Sequence, residues 1–224
     1  MSRVDDVQDG SGPGWRQRAV SRSLSAARTR AEQRVQRLLD AAFDLIDERG
    51  TAEFTIQEVV ERSKQSLRGF YQHFDGKDEL LFALLEEAIR EAVADIRQAV
   101  ESESEPIDRL RAFTIRLYEW CEPLGKGRKR GAHNRLPLSE FSLQIALKDP
   151  ERVSGVMAPI SRMLVELIDA AVAARAVRVP ETRRAALLIQ QTVMYGWLMN
   201  RLGSPRMRVT AEDAWEFCLH GLGG

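Results

Sequence analysis

The sequence predicts an all-α fold on three observations. Long runs are rich in Ala, Leu, Glu and Arg, which are strong helix formers. Proline and glycine fall mostly at the boundaries of these runs. No alternation of apolar and polar residues, as a half-buried strand would need, is sustained anywhere. A chain of 224 residues can bury a sizeable core and hold one domain or two.

The first segment of the chain is basic. Ser11 to Ala31 contains no acidic residue but five arginines, which are Arg16, Arg18, Arg22, Arg28 and Arg30. Because the segment is too polar to fold alone, we expect a flexible basic arm over residues 1–30. Two interpretations stay open, a passive leader or an arm that lies on phosphates or enters a minor groove. The second applies less to residues 1–14, which also carry acidic residues.

The first two helices are predicted from spacing and from a cap. Thr55 followed three residues later by Glu58 is a capping box, so a helix should begin at Ile56. An earlier helix ending at Gly50 should brace it. Its apolar residues recur with helical spacing at Val35, Leu38, Leu39, Ala42, Phe43 and Ile46.

A third, short helix is predicted from Leu67 to about Gln72, because Ser66 provides a further N-cap after the polar run 62–65. One side of this helix is anchored by three aromatic residues, Phe70, Tyr71 and Phe74. Two short helices joined by a tight turn are typical of a helix-turn-helix element, in which the second helix is the recognition helix.

The motifs of this region resemble a known family. F-T-I-x-E-V-V from Phe54, then Ser66, then F-Y-x-H-F-D-x-K-D-E-L-L from Phe70 are similar to the DNA-binding domain of the TetR family of bacterial repressors over residues 31–81. The resemblance implies a three-helix DNA-binding domain at 31–76 and a helical regulatory and dimerisation domain at 77–224. Where the family usually has Ala-Gly-Val at the turn, this chain has Ser63, Lys64 and Gln65. A residue with a Cβ then stands where a positive φ is wanted.

The resemblance also implies DNA contacts. The residues that match the family's phosphate-gripping positions are Thr55, Tyr71, His73 and Lys77. Thr55 and Lys77 should lie at helix N-termini, which favour anions. Arg68 is the one long cationic side chain of the recognition helix, and arginine is the commonest reader of guanine. Further candidates for contacts with DNA are Lys64, Gln65, Ser66, Leu67 and Gly69.

Gly69 has two interpretations, a tolerated surface glycine or a position that lets the backbone approach DNA closely. Farther along, a long helix is predicted from Lys77 to about Ala99, and Pro106 should open another that ends near Cys121.

The segment 125–135 is rich in glycine, lysine and arginine but lacks the spacing of a phosphate-binding loop. It is either a solvated loop or a patch for the anionic headgroup of an effector. A helix from Glu151 to about Ala176 should follow, with a kink at Pro159.

The last two helices predict self-association. Apolar residues nearly encircle the helix from Thr182 to Leu202, and the helix capped at Thr210 repeats this excess. A wholly buried helix is the alternative, but in a chain this small a helix pair that meets its twofold mate fits better. The TetR resemblance implies such a dimer as well, because proteins of that family dimerise through a four-helix bundle made by their last two helices. The predicted interface residues are Ala186, Ile189, Val193, Trp197, Trp215 and Cys218.

Other classes of protein find little support. The three histidines, His73, His133 and His220, have no carboxylate or cysteine at metal-ligand spacing, and no catalytic motif is present, so neither an enzyme nor a metal or cofactor is expected. No apolar run is long enough to span a membrane, and we expect a cytoplasmic protein with buried, reduced cysteines. A helical scaffolding module that does not bind DNA is the second hypothesis.

We therefore expect a homodimeric repressor that binds a palindromic double-stranded operator and is released by a small hydrophobic or acyl-type effector. An apolar pocket in the C-terminal helices would be coupled to the recognition helix through the long helix that begins at Lys77. Methionine and aromatic side chains suit such a pocket but equally suit ordinary core packing. The pocket candidates are Phe113, Leu117, Trp120, Phe141, Met157, Met163, Met194 and Trp197.

Overall fold

The computed structural model describes residues 14–49, 51–121, 145–202 and 208–223, apart from the side chains at positions 16, 197–199, 201 and 202. All regular elements in these ranges are helices, as the sequence predicts. They are α1 (Gly14–Arg49), α2 (Ile56–Arg62), α3 (Leu67–Tyr71), α4 (Lys77–Glu101), α5 (Pro106–Cys121), α6 (Pro150–Ala173), α7 (Thr182–Leu202) and α8 (Ala211–Gly221). A short helical turn at 145–148 precedes α6.

The second half of α1 packs with α2 and α3 into a small three-helix domain. Its centre is made of buried side chains from all three helices and from the connections between them, including Leu38, Ala42, Val59, Phe70 and Phe74. The Phe70 and Phe74 rings pack against each other with 5.5 Å between their centroids and a tilt of 39°. This pair covers the inner side of α3, the predicted recognition helix.

The prediction for residues 1–30 was wrong over 14–30, because α1 begins at Gly14 and its first half is a continuous helix with exposed side chains. Composition alone predicts that so polar a segment cannot fold. A helix that is already held by its packed C-terminal half needs no new nucleus, so each added residue contributes one more hydrogen bond at little cost. Residues 1–13 and Gly50 lie outside the described residues.

The helices from α4 to α8 form a larger second region, which we call the regulatory region after the role predicted for it. It is built around α5, which packs against α4, α6, α7 and α8. Its buried face carries Leu110, Phe113, Leu117 and Tyr118. The long helix α4 belongs to both regions, since it packs on α1 at its beginning and on α5 along its length. A movement of α4 therefore changes the position of the small domain relative to the rest of the chain.

Candidate nucleic-acid interface

The N-termini of α2 and α3 are fixed by side-chain caps. The Thr55 hydroxyl accepts the amide of Glu58 at 3.2 Å, and the Glu58 carboxylate accepts the Thr55 amide at 2.7 Å, which confirms the capping box. The Ser66 hydroxyl accepts the amide of Gly69 at 3.0 Å. Each cap satisfies an amide that the first turn of a helix leaves without a partner, so both helices start where the sequence predicts.

The Glu58 carboxylate is also paired with Arg49 at the end of α1. This pairing and the two hydrogen bonds from Thr55 lower the pKa of Glu58 from its ordinary 4.5 to about 2. A second pair, Arg62 with Glu48 at 2.7 Å, again joins α2 to α1. Two charged contacts therefore hold α2 against α1 on the outside of the small domain.

The turn between α2 and α3 has a left-handed residue at its centre. Lys64 has a φ of 55°, although it is not a glycine. The backbone therefore keeps the geometry that a glycine would favour, and the Cβ of Lys64 makes that geometry cost about 1 kcal/mol. Lys64 is exposed, so its ammonium group extends into solvent beside the start of the recognition helix.

Gln65 connects the turn to α1. Its side-chain amide donates to the carbonyl oxygen of Arg34 at 2.7 Å. Gln65 immediately precedes Ser66, the cap of α3, so this bond sets the N-terminus of the recognition helix beside the middle of α1. The sequence predicted Gln65 as a contact to DNA; in the structure its donor group is engaged within the protein. No pattern in the sequence indicates a bond between residues so far apart.

The outward face of α3 carries the side chains that are free to meet a ligand. Leu67 and Tyr71 are 44% and 56% exposed, and the Tyr71 ring stands edge-on to Phe70 at 5.3 Å. Arg68 lies on the same face and makes no ion pair or side-chain hydrogen bond with any described residue. The helix thus presents one free guanidinium between an aliphatic and an aromatic side chain, which suits the edge of a base pair and its flanking backbone.

A Cβ at Gly69 would lie 3.3 Å from the Ser66 hydroxyl oxygen, a tight contact that a shift of a few tenths of an ångström would relieve. Glu58 has a Cβ at the equivalent position of the Thr55 cap, and that cap is intact. The Ser66 cap therefore does not require a glycine, and both interpretations from the sequence remain.

The N-terminus of α4 forms the other end of the candidate interface. Its N-cap residue, Gly76, makes no side-chain cap, so the first amides are available to an anion. The Lys77 ammonium lies 4.6 Å from the centre of the Phe54 ring, and burial lowers the pKa of Lys77. Lys77 is half-buried and Thr55 is exposed. Both were predicted to grip phosphate, and both lie at helix N-termini as expected.

His73 lies between Thr55 and Lys77 in the sequence, and its side chain is half-buried. Its Nε2 atom is inaccessible to solvent and has no hydrogen-bond partner among the described residues. A buried polar nitrogen without a partner is uncommon. A phosphate oxygen reached by a small movement of the ring would satisfy it.

The predicted pocket residues lie in the core of the regulatory region. Phe113, Leu117 and Trp120 are buried, and Met157, Met163 and Met194 are half-buried. Phe141 and the Trp197 side chain lie outside the described residues. An open groove of about 580 Å³ lies between α4 and α6, and none of these candidates lines it. It is lined by Glu86, Ile89, Arg90, Val93, Arg152, Gly155, Val156 and Pro159.

The predicted interface residues need correction. Ala186, Ile189, Val193, Trp215 and Cys218 are each at most 5% exposed, so they pack inside the protomer and cannot meet a second copy directly. Among the described side chains of the same helices, the large apolar ones that are exposed are Leu187, Leu188, Tyr195 and Phe217. A helix that is apolar all round does not reveal from its sequence which stripe faces inward. The i, i+7 spacing of Leu188 and Tyr195 was the sequence signal that could have indicated the exposed stripe of α7.

A charged connection that the sequence did not predict joins α4 to α6. Arg152 donates two hydrogen bonds of 2.9 Å to the Glu79 carboxylate, and its guanidinium lies 4.1 Å from the centre of the Phe82 ring. Lys148 pairs with Asp78 at 2.6 Å. Both carboxylates belong to the first turn of α4, immediately after the candidate phosphate site at Lys77. We call these two pairs the α4–α6 tie.

The cysteines are buried and free, as predicted. Burial raises the pKa of Cys121 to about 12 and that of Cys218 to about 11. Among the described residues there is no cluster of side chains that could hold a metal ion. No helix in the described ranges is both long and apolar enough to cross a membrane.

Comparison with known sequences finds similar proteins for the N-terminal part of the chain. The model for bacterial regulatory proteins of the tetR family matches residues 38–84, which include α2, α3 and the start of α4. The transcriptional activator FasR of Mycolicibacterium smegmatis is 30% identical over 96 residues, 43% of this chain and 44% of that protein. The chain therefore aligns with less than half the length of the curated relatives it matches.

Comparison with solved structures extends the likeness of fold to the regulatory region. A tetR-family protein from Rhodococcus RHA1 has a TM-score of 0.62 and 19% identity, over 84% of this chain and 96% of that one. FadR of Bacillus subtilis, solved with stearoyl-CoA, has a TM-score of 0.60 and 13% identity, over 83% of this chain and 98% of that one. At such identities the likeness shows the fold alone.

Proposed function

We propose that this chain is a member of the TetR family of bacterial regulatory proteins, which its N-terminal part resembles. Its function would be that of a sequence-specific DNA-binding repressor that acts in the cytoplasm. The observation that supports it best is the exposed face of α3, where Arg68 lies between Leu67 and Tyr71 and makes no ion pair with any residue that the structure describes. An enzymatic role finds no support, because the curated relatives are regulators of transcription. The scaffolding alternative rested on the altered turn, and the left-handed φ of Lys64 removes that argument.

The proposed grip on DNA has two parts. Arg68 would read a base edge, most simply guanine O6 and N7. Lys77, the free amides of the first turn of α4, Thr55 and His73 would hold phosphates on one strand. The Thr55 hydroxyl also donates to Glu58 at 2.9 Å, so it must exchange this bond when it donates to a phosphate.

The test of this function compares two charge removals. Duplexes that the full chain selects from a random pool provide the operator. Arg68→Ala should cost about 1 to 3 kcal/mol on the selected site and relax one position of it, whereas Lys77→Ala should weaken all duplexes alike and flatten the salt dependence by about one unit. Arg97→Ala, an exposed change on the regulatory part of α4, is the matched control. A chain that selects no duplex, or an Arg68→Ala variant with unchanged selectivity, contradicts the proposal.

We propose that the chain acts as a homodimer through the exposed apolar face of α7 and α8. A groove of about 520 Å³ between these helices has Leu188 and Phe217 in its lining, and the two side chains are 57% and 69% exposed. A dimer presents two recognition helices to a palindrome and roughly doubles the discriminating energy. This dimer interface, which we call the seam, is therefore needed for the protein to recognise its operator.

The seam test follows from the corrected residues. Leu188→Glu should give helical monomers with weak operator binding, because it places like charges near a twofold axis. Leu147→Glu, at another exposed leucine, should change nothing. Val193→Glu is unsuitable, since Val193 is fully buried in the protomer and the change would unfold it. Sedimentation as a wild-type monomer at micromolar concentration, with full operator binding, contradicts the seam.

An effector of low polarity is the remaining part of the proposal. The regulatory region has an apolar interior that includes Phe113, Tyr118 and Trp120, and Met157 and Met163 pack against it. The similarly folded FadR of Bacillus subtilis was solved with an acyl thioester, stearoyl-CoA. A thermal-shift screen of fatty acids and acyl thioesters, followed by operator release with each hit, tests this. Hits that stabilise the protein without weakening operator binding contradict a repressor released by its effector.

A further inference from the structure

We propose that the projecting half of α1, residues 14–30, is a rigid DNA-binding surface that extends the contact beyond each half-site onto the flanking phosphates. The inference rests on the proposed function and goes beyond it, because the recognition helix and the α4 N-terminus do not need this segment. Residues 14–30 are helical, and all of their described side chains are exposed. So long an exposed helix offers a surface to a partner outside the protomer.

The positive charge of this part of α1 indicates the chemical class of the partner. Between Gly14 and Arg37 the sequence has seven arginines and a single acidic residue, Glu32, although the whole chain has no net charge. Glu32 is paired with Arg28 at 2.8 Å. The other arginines with described side chains make no ion pair with any described residue: Arg18, Arg22, Arg30, Arg34 and Arg37. Five unpaired guanidinium groups along one helix call for a polyanion.

The position of residues 14–30, next to the recognition helix, indicates that the polyanion is DNA. The carbonyl oxygen of Arg34 accepts the hydrogen bond from Gln65, the residue before the α3 cap. The projection therefore leaves the domain beside the end of the recognition helix that carries Leu67 and Arg68. Continuity between the two surfaces means that a duplex read by α3 also lies near α1.

The remaining side chains of the segment fit phosphates better than lipid. Ser21, Ser23, Ser25 and Thr29 alternate with the arginines, and hydroxyl groups are common donors to the DNA backbone. The segment has three large apolar side chains, which are exposed. Val20 and Leu24 share the stripe that continues the buried face of α1, whereas Trp15 lies off that stripe, so the three do not form one apolar face. A helix that lies in a membrane interface needs a broader apolar face.

The length of the segment sets the size of the effect. Seventeen helical residues extend for about 25 Å, which spans about seven base pairs of one DNA strand. If three arginines reach phosphates, the slope of log Kd against log salt should steepen by about 2 to 3 units per protomer. At physiological salt this corresponds to about tenfold or more in affinity.

The test uses the full chain, the selected operator and two duplexes, one ending at the outer edge of the half-sites and one with ten extra base pairs on each side. Wild type should bind the longer duplex more tightly and with the steeper salt slope. The triple variant Arg18→Gln, Arg22→Gln, Arg30→Gln should lose this advantage and keep the short-duplex affinity, since glutamine preserves helix propensity. The control Arg97→Gln, Arg162→Gln, Arg183→Gln removes three exposed arginines elsewhere and should behave as wild type.

Two results overturn the inference while the proposed function stands. One is equal binding of both duplexes by wild type. The other is association of wild type with phosphatidylserine vesicles that the triple variant loses, with DNA binding unchanged, which would assign the segment to a membrane surface. Failure of wild type to bind even the short duplex would instead overturn the proposed function.

Discussion

The α4–α6 tie leads to a prediction about how the regulatory region positions the recognition helix. Arg152 and Glu79 form two parallel hydrogen bonds of 2.9 Å, and their side chains are 37% and 38% exposed. The Arg152 guanidinium lowers the pKa of Glu79, which keeps this carboxylate charged. Arg152→Gln and Glu79→Gln each remove one partner without changing the shape of the site greatly.

The magnitude follows from exposure and geometry. A simple surface pair contributes about 0 to 1 kcal/mol, and a bidentate arginine pair with this exposure belongs near the upper limit. We therefore expect a coupling of about 1 kcal/mol per protomer between Arg152 and Glu79 in a double-mutant cycle of unfolding. The cation–π contact with Phe82 adds about 0.5 kcal/mol to the loss in Arg152→Gln alone.

Operator binding should weaken in the same variants. Breaking the tie lets the first turn of α4, and the small domain with it, take more orientations, and binding must then restrict them again. A loss of about 1 kcal/mol per protomer corresponds to about fivefold in operator affinity for each half-site. The assays are urea denaturation and fluorescence anisotropy on the selected operator. Additive losses of stability in the cycle would refute the reasoning, as would an unchanged operator affinity in both single variants and in the double variant. Exchanging the two charges, with Glu79→Arg and Arg152→Glu in one chain, should recover part of the stability and part of the operator affinity.

Three further predictions concern stability and reactivity. Lys64→Gly should raise the free energy of unfolding by about 0.5 to 1 kcal/mol in urea, because glycine relieves the left-handed strain, whereas Lys64→Ala should not. The advantage of wild type over Glu58→Gln should be present above pH 4.5 and shrink as the pH falls toward 2, since folding lowers the pKa of Glu58; a flat difference in acid denaturation would contradict this. Cys121 and Cys218 should resist iodoacetamide at neutral pH in the folded protein and react in urea, as mass spectrometry will report.

The small domain could be predicted from the sequence because its signals are local. A cap and its partner amide are three residues apart in both Thr55 with Glu58 and Ser66 with Gly69. The same holds for Thr210 and Asp213 at the start of α8. Such pairs are visible in any sequence, and they fix where helices begin within a residue or two.

The regulatory region was predicted in outline but not in its contacts. Arg152 meets Glu79 across 73 positions and Arg111 meets Glu212 across 101, so no local pattern indicates either pair. The same limit explains the interface residues. Periodicity correctly predicts that α7 is apolar on more than one side, but the choice between Val193 and Leu188 depends on which side the protomer itself covers.

The two ends of α4 show how these long-range contacts act on the small domain. Toward its C-terminal end, Asp95 accepts a hydrogen bond from the Trp120 indole at 2.8 Å and lies 3.6 Å from Arg116, so α5 holds this part of the helix. Lys77 lies eighteen residues earlier, about 27 Å along a straight helix. A rotation of about 5° about Asp95 would therefore move Lys77 by about 2 Å. Hydrogen bonds to phosphates tolerate only a fraction of that distance. A small change in packing between α5 and α4 would thus move Lys77, and the small domain with Arg68, away from the phosphates and base proposed for them, provided that the α4–α6 tie at the first turn yields with it.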